Sequence, residues 1–98
     1  MGKVQKRSDK DYRPQLTLKN VSDSSNEVFN RLIIRLEEKG WGSWLSRHEI
    51  LGFFEEEKYE LTKAVHSESL GGVKRELIDI AVGCIFGIAC IDNGSLDW

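Results

Sequence analysis

Two pairs of acidic residues in the middle of the chain have a spacing that suits a metal site built on helices. The first pair is Glu57 and Glu60, with Glu56 just before it, and the second pair is Glu76 and Asp79. On a helix, residues three positions apart lie on one face, about one turn from each other. Two such pairs on neighbouring antiparallel helices would bring four carboxylates together.

Four ionised carboxylates repel one another, so a shared site requires a positive charge among them. A hard divalent cation with oxygen ligands meets this requirement, and Mg²⁺ is the first candidate, with Mn²⁺ as the second. Iron sites in carboxylate bundles use Glu-x-x-His motifs, and neither pair contains a histidine. The sequence therefore predicts a magnesium site.

The doubled motif, Glu57-x-x-Glu60 followed by Glu76-x-x-Asp79 and a very apolar helix, resembles that of the MazG-like all-α nucleoside triphosphate pyrophosphohydrolases. The resemblance extends over residues 44–92, about half of the chain. It implies a Mg²⁺-dependent enzyme that hydrolyses a ribo- or deoxyribonucleoside triphosphate to the monophosphate and pyrophosphate.

The resemblance also implies roles for individual residues. The catalytic metal ligands would be Glu57, Glu60, Glu76 and Asp79, and Glu56 would be an additional ligand. The candidate substrate contacts would be Trp44, Lys58, Lys63, Lys74, Arg75 and Asn93.

Relatives commonly carry further phosphate-binding Lys and Asn residues on a helix that follows the second acid pair. This sequence offers little there besides Asn93. A partner subunit, or Arg31 and Arg35 of the first predicted helix, would then have to contact the phosphates.

A second interpretation belongs to another functional class. The acids could be surface charge on a non-enzymatic helical oligomerisation or interaction module, because charge runs usually form a solvated face. Asp79 argues against this, since an apolar run follows it directly and an unpaired acid at the start of a core is costly.

Trp44 is equally open to two roles, stacking on a base or capping the hydrophobic core, whereas core capping is favoured for Trp41.

Helix-capping patterns predict three main helices. A Ser24/Glu27 capping box opens a helix over residues 25–39, and Ser46 with Glu49 opens a second over 47–66. Two adjacent glycines break the chain at 71–72 and a third helix covers 73–91.

The predicted fold is all-α, with three main helices that form a MazG-like bundle completed by dimerisation. Residues 23–98 would form this domain, and residues 1–22 a flexible or extended arm, because residues 15–21 alternate like a short strand. A chain of 98 residues buries only a small core. A homodimer or homotetramer is therefore expected.

Composition limits the partners and the compartment. The net charge of −2 argues against a nucleic-acid polymer as ligand. The apolar run over residues 80–91 is too short to span a bilayer, so no membrane partner is expected. Two cysteines six positions apart in one helix cannot pair with each other. Free thiols and the lack of a signal-peptide pattern predict a cytoplasmic protein.

Overall fold

The computed structural model describes residues 13–96, and within them the chain forms three α-helices. Helix α1 spans Leu18–Lys39, α2 spans Arg47–Ser67 and α3 spans Leu70–Asp92. No strand occurs in this described part of the chain. The prediction of an all-α fold with three main helices is confirmed.

Helix α1 begins earlier than the sequence analysis predicted. Its N-cap is Thr17, whose hydroxyl accepts a hydrogen bond of 3.1 Å from the Asn20 N–H, while the Asn20 side chain accepts one of 2.9 Å from the Thr17 N–H. This reciprocal cap starts the helix upstream of Ser24, so the extended arm is wrong for residues 18–22. The alternating pattern of residues 15–21 had predicted a strand, but the described part of the chain contains no strand with which it could pair. Residues 1–12 of the predicted arm lie outside the described residues.

The two adjacent glycines do not break the chain, which corrects the predicted start of α3. The helix begins at Leu70, and the hydroxyl of its N-cap Ser69 accepts a hydrogen bond of 3.3 Å from the Gly72 N–H. Gly72 is buried against the side chain of Glu68, and a Cβ there would lie 2.9 Å from the Glu68 Cβ. The glycine therefore allows a tight turn between α2 and α3 instead of marking a loop.

Helix α2 lies close to its predicted bounds because its cap was readable in the sequence. The Ser46 side chain accepts from the His48 N–H at 3.2 Å, and the Glu49 carboxylate accepts from the Ser46 N–H at 3.2 Å. The Ser46 side chain also accepts from the Glu49 backbone N–H, so both halves of the predicted capping box are present.

Helix α3 is the central element, and both other helices pack on it. Residues that flank α2 contact opposite ends of α3. Before α2, the Trp44 N–H donates to Cys90 Sγ at 3.4 Å, and after α2, Glu68 lies against Gly72. The two helices are therefore antiparallel. Helix α1 also packs on α3, whereas α1 and α2 do not pack on each other. An open cleft between α1 and α2 results, with α3 as its floor.

Aromatic rings fill the interface between α2 and α3. The Phe53 ring occupies the space in which a Cβ at Gly83 would lie. Trp44 packs against Phe53 and edge-on against Phe86, with ring centroids 5.5 and 4.9 Å apart. This close approach fixes the register of the two helices.

The buried apolar core of a single chain is small. It consists of Leu32, Ala64, Val82 and Cys90, and among the described residues no large side chain is fully buried. Several large apolar side chains of α3 remain exposed, for example Ile88 at 59%. None of the helices in the described part combines the length and apolarity that a bilayer crossing needs.

Replacing Gly83 by Ala should destabilise the fold, because the new methyl group would collide with the Phe53 ring. Overpacking as severe as this costs about 3 kcal/mol, and about 1 kcal/mol is regained in helix propensity. The net loss of about 2 kcal/mol should lower Tm by about 8–16 °C, measured by thermal unfolding followed by circular dichroism. Gly52→Ala is the matched control. No atom lies within 4 Å of its added Cβ, so Tm should stay the same or rise. An unchanged Tm in Gly83→Ala would contradict the packing described here.

Candidate metal centre

Three carboxylates converge where α2 faces α3. Glu57 comes from α2 and Glu76 and Asp79 from α3, and one oxygen of each lies within 4.8 Å of the other two. The register explains this convergence. Glu57 is one turn after Phe53 and Asp79 is one turn before Gly83, so in an antiparallel pair the contact of Phe53 with Gly83 places the two acids opposite each other. The structure thus brings together three of the five predicted ligands.

Glu57 is the most perturbed acid of this cluster. Its Oε1 atom is buried and has no hydrogen-bond partner. Burial raises the pKa of Glu57 above its ordinary value, and the negative charges of Asp79 and Glu76 raise this pKa further. A cation among the three carboxylates would reduce their mutual repulsion and would give Glu57 Oε1 the partner that it lacks.

One positive side chain already contacts the cluster. The Arg35 guanidinium, which projects from α1, donates a hydrogen bond of 2.9 Å to Asp79 Oδ1. This ion pair links α1 to the acid-bearing turn of α3. Sequence reasoning had considered Arg35 as a phosphate contact and had not paired it with an acid.

The remaining two predicted ligands lie outside the group of three. Glu60 is half-buried and its carboxylate lies 3.6 Å from the Lys63 Nζ. Glu56 is exposed. Both add to the negative field that raises the pKa of Glu57, and their role as ligands stays a prediction.

The donor set suits a hard divalent cation. All three groups supply carboxylate oxygens, and Mg²⁺ takes such ligands at about 2.0–2.1 Å in an octahedron, which places ligand oxygens up to about 4.2 Å apart. A small movement of the side chains from their observed separation would bring one oxygen of each to a common ion. The three residues therefore fit Mg²⁺ or Mn²⁺.

A cleft of about 400 Å³ opens beside this cluster, between α1 and α2. One part of its wall is charged, from Glu57, Asp79, Arg35 and Lys39. The other part is largely apolar and aromatic, and includes Leu32, Leu36, Trp44, Phe53, Val82 and Phe86. A ligand with a charged end and a flat apolar end would match this division.

Of the predicted substrate contacts, only Trp44 lines the cleft. Lys63 and Lys74 form ion pairs elsewhere, with Glu60 at 3.6 Å and with Glu27 at 3.1 Å. Lys58 and Arg75 are exposed, and Asn93 donates to the Ser95 hydroxyl at 3.0 Å. Trp41 is 63% exposed and lines a groove beside the core residues Leu32 and Cys90, so its role in capping the core stays a prediction.

Sequence reasoning missed Lys39, which lines the cleft. The available signal was its position four residues after Arg35 on a predicted helix, which puts both cations on one face. That signal could be used only once α1 was known to border the site.

Comparison of the chain with known protein families, with curated proteins and with solved structures found no match.

Replacing Glu57 by Gln should stabilise the metal-free protein at neutral pH. The folded-state pKa of Glu57 is raised above 4.5, so ionisation of this residue opposes folding above the folded pKa, and the opposition fades as pH falls toward 4.5. Removing one repulsive charge is worth about 0.5 kcal/mol, or about 2–4 °C in Tm at pH 7.5. The gain should shrink when the melts are repeated at pH 5.

Glu55→Gln is the control for this effect. Glu55 lies on the same helix and is exposed, so its replacement should leave Tm nearly unchanged. If Glu57→Gln and Glu55→Gln changed Tm equally, repulsion within the acid cluster would not destabilise the fold.

Proposed function

We propose that this protein is a Mg²⁺-dependent nucleoside triphosphate pyrophosphohydrolase, which hydrolyses a ribo- or deoxyribonucleoside triphosphate to the monophosphate and pyrophosphate. The observation that carries the proposal is the convergence of Glu57, Glu76 and Asp79 beside a cleft that Trp44 also lines. The resemblance of the doubled acid motif to the MazG-like enzymes agrees with this proposal.

The three carboxylates would hold the cation. Bound Mg²⁺ would neutralise phosphate charge and lower the pKa of a coordinated water. Burial of Glu57 Oε1 favours this role, because a carboxylate oxygen that is shielded from water and lacks a donor gains most from a cation.

The aromatic side of the cleft would hold the base. Trp44 is fixed by edge-on contact with Phe86 and by its packing on Phe53, so little side-chain freedom remains to be lost when a ligand stacks on it. The same contacts make Trp44 part of the interhelical core. The two roles that the sequence left open for this residue are therefore compatible.

We also propose that two copies of the chain associate. A groove of about 460 Å³ lies between α1 and α3 and is lined mainly by apolar side chains, among them Val28, Leu77, Ile80 and Ile85. The small core of the single chain makes burial of this surface by a second copy favourable.

The alternative function is a helical interaction module without catalysis. The exposed apolar side chains of α1 and α3 favour it, because they would serve an interface whether or not the acids bind a metal. It differs from the proposed enzyme in predicting no response to Mg²⁺ and no turnover.

The test of the enzyme is incubation with a panel of ribo- and deoxyribonucleoside triphosphates in millimolar Mg²⁺, with pyrophosphate and orthophosphate separated. We expect pyrophosphate from at least one member, and a rise in Tm on addition of Mg²⁺ alone. Glu57→Gln should reduce turnover by about 100-fold or more, since a metal contributes several kcal/mol to the stabilisation of such a transition state.

Two features make this test decisive. Glu57→Gln is expected to be more stable than the parent, so loss of turnover would not reflect unfolding. Glu55→Gln should keep full turnover. Orthophosphate as the product would exclude pyrophosphohydrolase chemistry, and no product together with no Mg²⁺ effect would favour the interaction module.

The proposed association has its own test. Light scattering should give a mass of at least twice 11.2 kDa, and Ile85→Glu should shift the protein to the monomer by placing a charge in the groove. Leu45→Glu is the control, because Leu45 is exposed in the connection before α2. A monomeric parent protein would contradict the association.

A further inference from the structure

The basic side chains that line the cleft come from one face of α1. Arg35 and Lys39 lie four residues apart on this helix and both line the cleft. Among the described residues around the cleft, they are the only Lys or Arg side chains. Their position opposite α2 puts positive charge across the opening from Glu57.

The Arg35 guanidinium can pair with either of two anions, the Asp79 carboxylate or a phosphate group in the cleft. In the structure its guanidinium pairs with Asp79, with side-chain exposures of 38% and 22%. Because Arg35 is partly exposed, it can leave this pair without being stranded in an apolar environment. A guanidinium also matches the oxygens of a phosphate group, to which it can donate two parallel hydrogen bonds.

We propose that Arg35 and Lys39 form the phosphate-binding edge of the cleft, and that Arg35 transfers from Asp79 to the phosphate chain when a divalent cation joins the acid cluster. The proposal rests on the proposed function, because it concerns the same site. The cation replaces the guanidinium as the counter-charge of Asp79. The released guanidinium then neutralises the anionic ligand that accompanies the cation.

This exchange couples the two ligands. Without a phosphate ligand, Arg35 competes with the cation for Asp79 and weakens binding of the cation. A polyphosphate that engages Arg35 removes this competition, so each ligand raises the affinity for the other, as thermodynamic linkage requires. Lys39 does not pair with an acid among the described residues and contributes charge to the phosphates alone.

The experiment uses calorimetric titration of the full chain with two probes. The first is MgCl₂ alone, and the second is inorganic tripolyphosphate in saturating Mg²⁺, which reports phosphate binding without a base. Arg35→Gln should bind Mg²⁺ about threefold more tightly than the parent, which corresponds to the loss of a partly exposed ion pair. The same variant should bind tripolyphosphate about tenfold more weakly.

Two further variants separate the roles of charge and position. Lys39→Gln should weaken tripolyphosphate binding and leave Mg²⁺ binding alone almost unchanged. Arg31→Gln removes the same charge one turn earlier on α1, at a residue that does not line the cleft, and should affect both probes little. Arg35→Lys should recover part of the tripolyphosphate affinity. Melting curves would verify that each variant is folded.

Tighter binding of Mg²⁺ together with weaker binding of tripolyphosphate in Arg35→Gln would identify the exchange, since misfolding would weaken the binding of both. Unchanged tripolyphosphate binding in this variant, or an equal loss in Arg31→Gln, would overturn the assignment while the metal site stands. A parent protein that binds neither Mg²⁺ nor tripolyphosphate would overturn the proposed function and, with it, this inference.

Discussion

The contact between Phe53 and Gly83 determines where the acidic residues of α2 and α3 meet. A side chain at position 83 would collide with the ring, so glycine lets α2 and α3 approach closely in one register. Glu57 and Asp79 each lie one helical turn from this contact, on the side toward the turn between the helices. The acids meet because apolar packing holds them together despite their mutual repulsion. Burial raises the pKa of Glu57, and the negative charges of Asp79 and Glu76 raise this pKa further. Perturbed pKa values of this kind cluster at functional sites.

The position of Arg35 shows how the chain limits this repulsion without a metal. Its ion pair with Asp79 spans from α1 to α3 and neutralises one of three acids. Glu57 remains the acid with a buried oxygen and no hydrogen-bond donor. The ion pair therefore offsets part of the negative charge of the three carboxylates. A fully paired cluster would have no electrostatic reason to bind one.

Local signals predicted much of this structure, and contacts distant in sequence account for the rest. The Ser46/Glu49 box defined α2 because both partners lie within four residues, and the spacing of Glu76 and Asp79 predicted a shared face. The predicted start of α1 was wrong because the chain offers two capping boxes in succession, and Thr17 with Asn20 forms the observed one upstream of Ser24. The glycines at 71–72 resembled a break because the close approach of Gly72 to Glu68 cannot be read from the sequence. The pairing of Arg35 with Asp79 joins residues that are 44 positions apart, so no local pattern could reveal it.

The apolar character of α3 on all sides has a structural reason. One face, with Asp79, Val82, Gly83 and Phe86, forms the floor of the cleft. A different face, with Leu77, Ile80, Ala81, Cys84 and Ile85, borders the groove against α1. The two sets share no residue, so a second copy seated in the groove would not close the cleft. Association would then stabilise the central helix that carries two of the three acids, without supplying residues to them. Under the two proposals, α3 would contact a second copy with one face and hold the ion with the other, so a substitution in the groove should leave the acid cluster intact.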